Sequence, residues 1–565
     1  MYVLGIWDGH DCGAAIVEEN EVKVAVNEER FTRRKLEIGF PKHSIQCCLD
    51  FLNLKPTDID TIAITTTDLA KTLTRVFPGA KENYYLFRRK KIDKPRLVHQ
   101  RRHFKYRMTE ISEKPFCKRV TKWYYKKELG KMGFKDFKIY IVDHHHAHAT
   151  AASFCSGFKK SLAITIDGVG DGLSGSVSVY KNGEIERLTQ ILAKDSLGIF
   201  FEQVTNLLGM RELEDEGKVM ALSNYAYPVP DEKNKLINLF EVNGMEIKSN
   251  MNTTKRYSFL KKVLWNTPRE EFSFMAQRVL EKNMVKLFEN ALDETGIGNV
   301  CWSGGVASNI KANMRIKALP KLKKWFVFPH MGDGGLALGA ALWVNHELNG
   351  INSCKLDHAY LGPEYSEDEI TNELNNYKNV LTFERKKDIS GVVGDLVSHE
   401  NFVLWYQGRM EYGPRALGNR TIAAPAFSVK IKDKLNMRIK QRNWFQPFCP
   451  SMLKEESTRF FVNVKGYDRF MTMGYDSKPS VRERIRAIMN VDYSARPQML
   501  GKENPKYRRL IERVKKNTGD GIILNTSFNL HGFPIVNTPR DAIEVMIKTK
   551  SDYLGLGDYL VTPKK

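Results

Sequence analysis

Residues 162–172 read LAITIDGVGDG, an apolar run that ends in a turn rich in Asp and Gly. Near the N-terminus, residues 3–13 read VLGIWDGHDCG and follow the same order. In both blocks a strand of small residues comes next, and then a hairpin turn at residues 19–20 or 182–183. This internal duplication predicts two related α/β halves that face each other across a cleft. Two unrelated β-hairpins are the simpler alternative.

A histidine cluster follows the predicted strand at residues 139–142. It reads DHHHAH at residues 143–148 and holds four of the chain's 13 histidines. His144 and His148 are four residues apart, so on a helix both imidazoles lie on one face and can reach one metal ion. Histidines satisfied by protein partners are the alternative. The neighbouring Asp and the Asp-Gly turns elsewhere favour a metal site completed by distant carboxylates.

Two later turns are candidates for binding a ligand or a metal. Residues 303–309 read SGGVASN after a predicted strand, so Gly304, Gly305 and Asn309 can hold a nucleotide or phosphate at a helix N-terminus. The lysine of a P-loop is missing from this stretch. Asp333 lies in a second Gly-rich turn, where it can ligate a metal or cap the next helix.

Positive charge and glycine are concentrated in one part of the C-terminal third. Residues 407–420 hold three Arg and three Gly, and Arg side chains bind phosphate or carboxylate through paired hydrogen bonds. Lys440 and Arg496 add charge, and residues 525–529 (NTSFN) place polar side chains after a predicted strand. We therefore predict a second domain that binds anions. Surface arginines paired with acids are the alternative.

The composition is that of a globular protein with two or more domains. At 565 residues, 42% hydrophobic and 27% charged, the chain is long enough for more than one core. No run of about 18 apolar residues predicts a membrane span, and the N-terminus resembles a first strand rather than a signal peptide. The eight Cys show no CxxC spacing. These features predict a cytoplasmic protein that does not contact a membrane.

The net charge of +22 is unevenly distributed. Residues 81–135 hold 19 Lys and Arg against 5 Asp and Glu, with aromatic residues interleaved. This stretch lies within a predicted insertion at about residues 70–138. Three interpretations stay open: a solvated helical insertion, a surface for an anionic substrate, or a nucleic-acid surface, which is the least favoured.

Several of these motifs, taken in order, resemble the carbamoyltransferase family of nodulation-factor and antibiotic O-carbamoyltransferases. The resemblance covers nearly the whole chain. Its strongest marks are HHHAH at 144–148, SGGVASN at 303–309, GDGG at 332–335, EYGPRALGNR at 411–420 and NTSFN at 525–529.

The resemblance implies two α/β domains. Residues 1–350 would be a carbamoyl-transfer domain like the tRNA threonylcarbamoyltransferase, with the duplicated actin/sugar-kinase/heat-shock-ATPase fold that the internal repeat also predicts. Residues 360–565 would resemble threonylcarbamoyl-adenylate synthase and would form carbamoyl-adenylate from carbamoyl phosphate and ATP, which binds with Mg²⁺. The carbamoyl group would then pass, in the first domain, to a hydroxyl of a sugar-like or other small-molecule acceptor.

The resemblance also implies roles for individual residues. The metal would be an iron-type ion, with Fe(II) preferred and Mn(II) or Zn(II) left open. In the first domain, His10 would be the general base and Lys35 would stabilise charge on the carbamoyl group. Arg415, Lys440 and Arg496 would bind the anionic substrates, with Asn525 and Ser527 as hydrogen-bond donors. The metal ligands would be His144, His148, Asp167 and Asp333.

One departure from the family pattern and two other functions bear on this hypothesis. The family often has Arg-Pro-Phe-Ala-Pro where this chain has Gln446-Pro447-Phe448-Cys449-Pro450, and Arg442 can replace the lost cation. A single-chain enzyme that makes threonylcarbamoyladenosine in tRNA is one alternative function. A nucleotide- and metal-binding regulator without catalysis is the other. The sequence leaves the acceptor and the oligomeric state open, with a homodimer as one option.

Overall fold

A computed structural model of the chain describes residues 1–91, 108, 110–111 and 114–564. It divides the chain into two compact units. The first unit contains residues 1–28 and 37–356, and the second contains residues 29–36 and 357–565. The described part of the chain contains no helix that is long and apolar enough to span a membrane.

The first unit is built on two five-stranded sheets and one small hairpin. Its strands are β1 (Tyr2–Trp7), β2 (Gly13–Glu18), β3 (Glu21–Asn27), β4 (Thr61–Thr65), β5 (Lys138–Val142), β6 (Lys160–Gly170), β7 (Leu173–Lys181), β8 (Glu184–Leu192), β9 (Phe240–Asn243), β10 (Glu246–Ser249), β11 (Asn299–Ser303) and β12 (Lys324–Val327).

The two large sheets have the same topology. Their strand orders are β3-β2-β1-β4-β5 and β8-β7-β6-β11-β12. In each sheet the first three strands form an antiparallel meander. The fourth strand pairs in parallel with the first strand of the block, and the fifth pairs in parallel with the fourth. The predicted duplication and the α/β fold class are therefore confirmed. The first Asp-Gly turn, at Asp8, follows the central strand β1, whereas Asp167 lies in the last part of the central strand β6 and the chain turns after Gly170.

Helices cover the two sheets and connect their strands. In chain order they are α1 (Glu29–Thr32), α2 (Lys42–Phe51), α3 (Leu69–Val76), α4 (Pro78–Arg88), α5 (Pro115–Lys131), α6 (His144–Ser156), α7 (Leu197–Leu207), α8 (Glu216–Leu222), α9 (Thr253–Trp265), α10 (Arg269–Thr295), α11 (Ile310–Lys317) and α12 (Leu336–Asn349), of which α1 belongs to the second unit.

Two buried helices, α6 and α12, pack against each other at the middle of the first unit. Each follows the last parallel strand of its half. Gly339 on α12 lies so close to α6 that a Cβ there would be 2.1 Å from the carbonyl oxygen of Ala147. Glycine at this position lets the two backbones approach closely. His144 at the N-terminal end of α6 and Asp333 in the turn just before α12 therefore lie near the same point.

The predicted basic insertion lies only partly within the described residues. Residues 92–107, 109 and 112–113 are outside them. In the described part, Arg75 and Arg88 are buried and paired with carboxylates of the first unit. These two arginines are therefore part of the interior rather than of a solvated face.

The second unit is centred on one eight-stranded mixed sheet. Its order is β13-β22-β21-β14-β15-β20-β16-β19. The strands of this unit are β13 (Leu381–Arg385), β14 (Val403–Tyr406), β15 (Arg420–Pro425), β16 (Cys449–Leu453), β17 (Tyr475–Asp476), β18 (Ser494–Ala495), β19 (Gln498–Leu500), β20 (Ile522–Ser527), β21 (Leu554–Leu556) and β22 (Tyr559–Pro563).

The core of the second unit lies where two helices cover the middle of that sheet. The helices after residue 356 are α13 (Glu367–Asn375), α14 (Ile389–Ser398), α15 (Val429–Leu435), α16 (Ser457–Phe460), α17 (Pro505–Thr518) and α18 (Pro539–Thr549). Val393 on α14 and Leu510 on α17 pack with Trp405 of β14 and Ile523 of β20, all without exposed surface. This core fixes the strand ends that carry the predicted anion-binding residues.

Candidate metal centre and candidate anion site

The structure brings the four predicted metal ligands together in the first unit. His144 and His148 lie one turn apart on α6, Asp167 lies in β6, and Asp333 begins the turn before α12. All four are buried, and one ligand atom from each lies within 4.8 Å of the others. The duplicated fold explains this convergence, because each half places polar residues where a central strand or a core helix begins or ends.

The four distances between histidine nitrogens and aspartate oxygens at this centre are similar. His144 Nε2 lies 3.2 Å from Asp167 Oδ2 and 3.8 Å from Asp333 Oδ1. His148 Nε2 lies 3.5 Å and 3.7 Å from the same two oxygens. Two imidazole nitrogens and two carboxylate oxygens thus face a common point, a donor set that suits a divalent transition metal.

Neighbouring side chains orient these ligands. The Thr66 hydroxyl lies 2.9 Å from His144 Nδ1, and the Ser303 hydroxyl lies 3.3 Å from His148 Nδ1. The backbone N–H of Gly305 donates to Asp167 Oδ1 at 2.9 Å. Such partners fix the ring orientation and leave Nε2 of each histidine for the metal. Sequence reasoning did not single out Thr66 or the hydroxyl of Ser303 for this role.

The acidic neighbours determine the charge state of His144. Burial alone disfavours its charged form, but the hydrogen bond to Asp167 and the charge of Asp333 outweigh burial and raise the pKa of His144 to about 9. The same histidines hold the pKa of Asp167 well below its ordinary value, although burial acts in the opposite direction. The centre therefore attracts positive charge strongly.

One atom at this centre supports metal binding independently of the distances. His148 Nε2 is buried and has no hydrogen-bond partner among the described residues. A buried polar nitrogen without a partner costs free energy unless a ligand satisfies it. The four residues therefore fit a divalent ion.

We expect purified protein to bind about one divalent transition-metal ion per chain through this centre. His148→Ala together with Asp333→Asn removes two of the four donors and should abolish stoichiometric binding, measured by elemental analysis after gel filtration. His146→Gln is the matched control, because His146 packs on Trp343 rather than at the centre. Equal metal content in the double variant and the parent would contradict the assignment.

His10 lies beside this centre, at the first Asp-Gly turn. Its Nδ1 is 3.6 Å from Asp333 Oδ2, and its carbonyl oxygen accepts a 2.9 Å hydrogen bond from the Trp7 indole. Burial lowers the pKa of His10 to about 4, although Asp333 raises it, and the charge of Arg89 lowers it further. A neutral imidazole is the form that accepts a proton.

Helix α4 of the insertion reaches this same region. The Tyr85 ring lies 5.8 Å from the His10 ring. Arg88 pairs with Glu202 and, at 2.5 Å, with Glu212. The mixture of basic and aromatic residues in the sequence was the only signal for this contact, and it did not identify the partner histidine.

The residues predicted to hold a nucleotide or phosphate, Gly304, Gly305 and Asn309, contact other protein atoms in the structure. Gly304 has φ +95° and packs against Ile166, where a Cβ would lie 2.2 Å from the carbonyl oxygen. The Asn309 side chain caps α11 through Ala312 N–H at 3.1 Å and pairs with Gln277. Gly305, as described above, holds Asp167. A role for these three residues in nucleotide binding stays a prediction.

The second unit contains a separate cluster of cations. The cluster consists of Arg415, Lys440, Arg442 and Arg496, which lie on three segments of the chain. No ion pair joins any of them to a carboxylate among the described residues. The Nε atoms of Arg415 and Arg496 are buried and have no hydrogen-bond partner there. Clustered positive charge of this kind favours the binding of an anionic ligand.

The cations lower one another's pKa values. Burial and the charge of Arg496 lower the pKa of Arg415. Burial lowers the pKa of Arg442 to about 10, although Cys449 raises it, and Arg496 lowers it further. Arg442 therefore belongs to the cluster. That it replaces the cation lost at Gln446 stays a prediction.

The polar residues in the last part of β20 and just after it mainly hold the cluster in place. Lys440 donates to the Asn529 side-chain oxygen at 2.8 Å and contacts the Ser527 hydroxyl at 3.2 Å. Asn525 donates to the Ala416 carbonyl at 3.0 Å, next to Arg415. The predicted role of Asn525 and Ser527 as donors to substrate is untested, and in the structure their contacts are with protein atoms.

Only one of the three arginines in residues 407–420 joins the cluster. Arg409 donates to the Leu361 carbonyl at 2.8 Å, and Arg420 is fully buried on the Tyr406 ring. Glu411 accepts three backbone N–H groups of this stretch, from Leu417, Asn419 and Arg420, at 2.8–3.1 Å. These contacts fold the loop so that Arg415 is presented to the other cations.

Lys35 lies in the second unit. It belongs to the segment at residues 29–36, and its charge acts on Lys440. The resemblance had placed Lys35 with the histidine centre, which belongs to the first unit. The chain passes from one unit to the other here over only eight residues, too short a pattern to be recognised in the sequence.

Two family models match the chain and together cover most of it. The model described as carbamoyltransferase N-terminus matches residues 2–342, and the model described as carbamoyltransferase C-terminus matches residues 394–563. The chain belongs to the carbamoyltransferase family. Both candidate sites lie within the matched ranges.

Some relatives of this carbamoyltransferase match it over nearly its full length, and others match part of it. An uncharacterised protein of Methanocaldococcus jannaschii is 33% identical, with both chains covered completely. Nodulation protein NolNO of Sinorhizobium fredii is 31% identical over 98% of this chain and 79% of its own length. The 3'-hydroxymethylcephem-O-carbamoyltransferase of Streptomyces clavuligerus is 28% identical over 59% of this chain and 62% of its own. The predicted family and enzyme class are therefore confirmed.

Proposed function

We propose that the protein is an ATP-dependent O-carbamoyltransferase with two chemically distinct sites. The observation that carries this proposal is the cluster of Arg415, Arg442, Arg496 and Lys440, which no carboxylate of the described residues neutralises. Carbamoyl phosphate and ATP are both polyanions, and clustered cations lower the repulsion between them. The His/Asp centre in the first unit would serve the second half of the reaction.

The first step would take place at the cation cluster. Water releases inorganic phosphate from carbamoyl phosphate and leaves carbamate. A carbamate oxygen then attacks the α-phosphorus of ATP, which binds with Mg²⁺, and forms a new O–P bond. The bond between the α- and β-phosphates breaks, and pyrophosphate leaves. The arginines would hold the phosphate oxygens as their negative charge is redistributed.

The second step would take place beside His10. The acceptor hydroxyl oxygen attacks the carbamoyl carbon, and the bond from that carbon to the AMP oxygen breaks. His10 would take the hydroxyl proton on Nε2, because its Nδ1 faces Asp333 Oδ2 at 3.6 Å. The acceptor in the name of the Streptomyces clavuligerus relative bears a hydroxymethyl group. We extend that chemistry to a hydroxyl of a small-molecule acceptor here.

His144, His148, Asp167 and Asp333 would hold a divalent metal ion at this second site. Fe(II) is our first choice, from the resemblance to the family, with Mn(II) or Zn(II) as other ions that the donor set accepts. When bound, the ion would supply Lewis-acid stabilisation to the phosphate of the leaving AMP. The hydroxyls of Thr66 and Ser303 would keep both imidazoles turned toward it.

Carbamoyl-phosphate-dependent exchange of pyrophosphate into ATP tests the first step. We expect exchange with ATP and carbamoyl phosphate in the absence of any acceptor, because adenylate formation is reversible. Threonine with bicarbonate should give no exchange. Exchange with threonine and bicarbonate but not with carbamoyl phosphate would favour the tRNA-modifying alternative. Nucleotide binding without exchange under either condition would contradict both.

A further inference from the structure

A short turn at residues 65–68 joins β4 to α3, the helix with which the predicted basic insertion begins. We infer that Arg75 on α3 and Asp171 between β6 and β7 are positioning residues for His144, and that they act by holding this turn. The inference rests on the proposed function, in which His144 is a metal ligand. None of the three interpretations of the insertion drawn from the sequence gave it this role.

The turn contains a backbone conformation that its surroundings must hold. Thr66 has φ +65°, in the left-handed region that β-branched residues rarely adopt. Such a conformation persists only where neighbouring contacts fix it. The Thr66 hydroxyl lies 2.9 Å from His144 Nδ1, so the position of this one residue decides how the hydroxyl meets the imidazole. A hydroxyl that accepts the Nδ1 proton leaves Nε2 of His144 for a metal.

All five N–H groups of the Arg75 guanidinium donate hydrogen bonds. Two of them bind the turn, at the Thr66 carbonyl at 2.8 Å and the Thr65 carbonyl at 3.2 Å. Two more bind the Asp8 carboxylate at 2.9 and 3.0 Å, and the last binds the Thr121 hydroxyl on α5 at 2.9 Å. Arg75 is 3% exposed, and the paired bonds to Asp8 fix the plane of its fork. The guanidinium therefore holds two successive carbonyls of the turn.

Asp171 holds the N–H groups of the same turn. Its Oδ1 accepts the backbone N–H of Thr67 at 2.8 Å and that of Asp68 at 3.1 Å. Its Oδ2 accepts the backbone N–H of His144 at 3.0 Å, at the first residue of α6. Asp171 is buried like Arg75. One carboxylate thus joins the turn to the helix that carries both histidine ligands, and the two positioning residues together set Thr66 against His144.

The affinity of the purified protein for Zn²⁺, measured by competition with a chelator of known affinity, tests the inference. We expect Arg75→Lys to raise the Kd about 10–100-fold, as for loss of an outer partner of a metal ligand. Lysine keeps the charge beside Asp8 but lacks the planar fork that reaches the carboxylate and both carbonyls. Asp171→Asn should have an effect of similar size, because an amide nitrogen cannot accept the His144 N–H. In both variants the visible absorption spectrum of bound Co²⁺, which reports ligand geometry, should change.

Thr66→Val tests whether Arg75 acts through the turn. It removes the hydroxyl while keeping nearly the same shape, and it should weaken Zn²⁺ binding by a similar factor. In the double variant of Arg75→Lys and Thr66→Val the two effects should not multiply, because residues in one chain of contacts are not independent. A Kd that rises by the product of the two factors would show that Arg75 does not act through Thr66, and the inference would be wrong.

Arg256→Lys is the matched control, because Arg256 is also a buried arginine of the first unit but donates to Gln203 and Ser249. Circular dichroism and the melting temperature of the metal-free protein check that each variant is folded. If Arg75→Lys does not fold, Asp171→Asn decides the inference. A parental Kd in the folded variant, or an equal loss in Arg256→Lys, would overturn it. If the parent protein itself binds no divalent ion, the proposed metal site fails, and the inference fails with it.

Discussion

Replacing His10 with asparagine is expected to reduce carbamoyl transfer by about 10²–10⁴-fold while leaving pyrophosphate exchange unchanged. Asparagine keeps much of the shape of the imidazole but cannot take up a proton. His10 and the four predicted metal ligands lie in the first unit, whereas the cation cluster lies in the second. A defect confined to transfer is therefore the outcome that separates the two sites.

The measurement uses a hydroxyl acceptor in the presence of ATP and carbamoyl phosphate, with mass spectrometry to detect the gain of one carbamoyl group. Where the acceptor is still unknown, a small-molecule extract of the source cells supplies candidates. His43→Gln is the control, since His43 is half exposed and pairs with Glu28 at 2.6 Å. If His10→Asn stops exchange as fully as it stops transfer, the division into two sites is wrong.

Arg415→Ala should act on the first step instead of the second. We expect it to lower pyrophosphate exchange about 10²–10³-fold. Arg415 is half-buried, and neither a carboxylate nor a partner for its Nε is present among the described residues. Its charge is therefore available to substrate. Since removal relieves repulsion from Arg496 and Arg442, the variant should fold as well as the parent or better.

The control for this variant is Arg509→Ala, which removes an arginine of the second unit that is exposed and lies 3.4 Å from Asp388. Exchange is followed with labelled pyrophosphate at saturating and limiting carbamoyl phosphate. Product formation falls together with exchange, because transfer depends on the intermediate. Full exchange activity in Arg415→Ala would remove the cation cluster from the proposed mechanism.

Several features of the fold follow directly from the sequence. The repeated order of apolar strand, Asp-Gly turn and hairpin predicted the two similar sheets, because short-range patterning determines how consecutive strands pair. The four-residue spacing of His144 and His148 predicted their shared face on α6. Asp333 was a candidate ligand from its Gly-rich turn alone. Asp167 and the complete set of four ligands came from the family resemblance, since nothing local links positions so far apart.

Other features depend on contacts that sequence periodicity does not encode. Arg409, Arg415 and Arg420 have the same side chain within twelve residues, yet only Arg415 joins the cation cluster. The other two are held by carbonyl groups and by the Tyr406 ring. The donors of Asn309 and Asn525 were predicted for substrate and are directed to protein atoms. Partner choice in these cases is decided by tertiary packing, which also placed Lys35 in the second unit.

The passage of residues 29–36 into the second unit restricts how such a protein can be taken apart or recombined. A gene fragment that starts at residue 357 would encode the large sheet but would omit residues 29–36, which belong to the same unit. The two units therefore cannot be exchanged between homologues by a single crossover at their boundary. A chimera with an intact second unit must take residues 29–36 and residues 357–565 from the same parent.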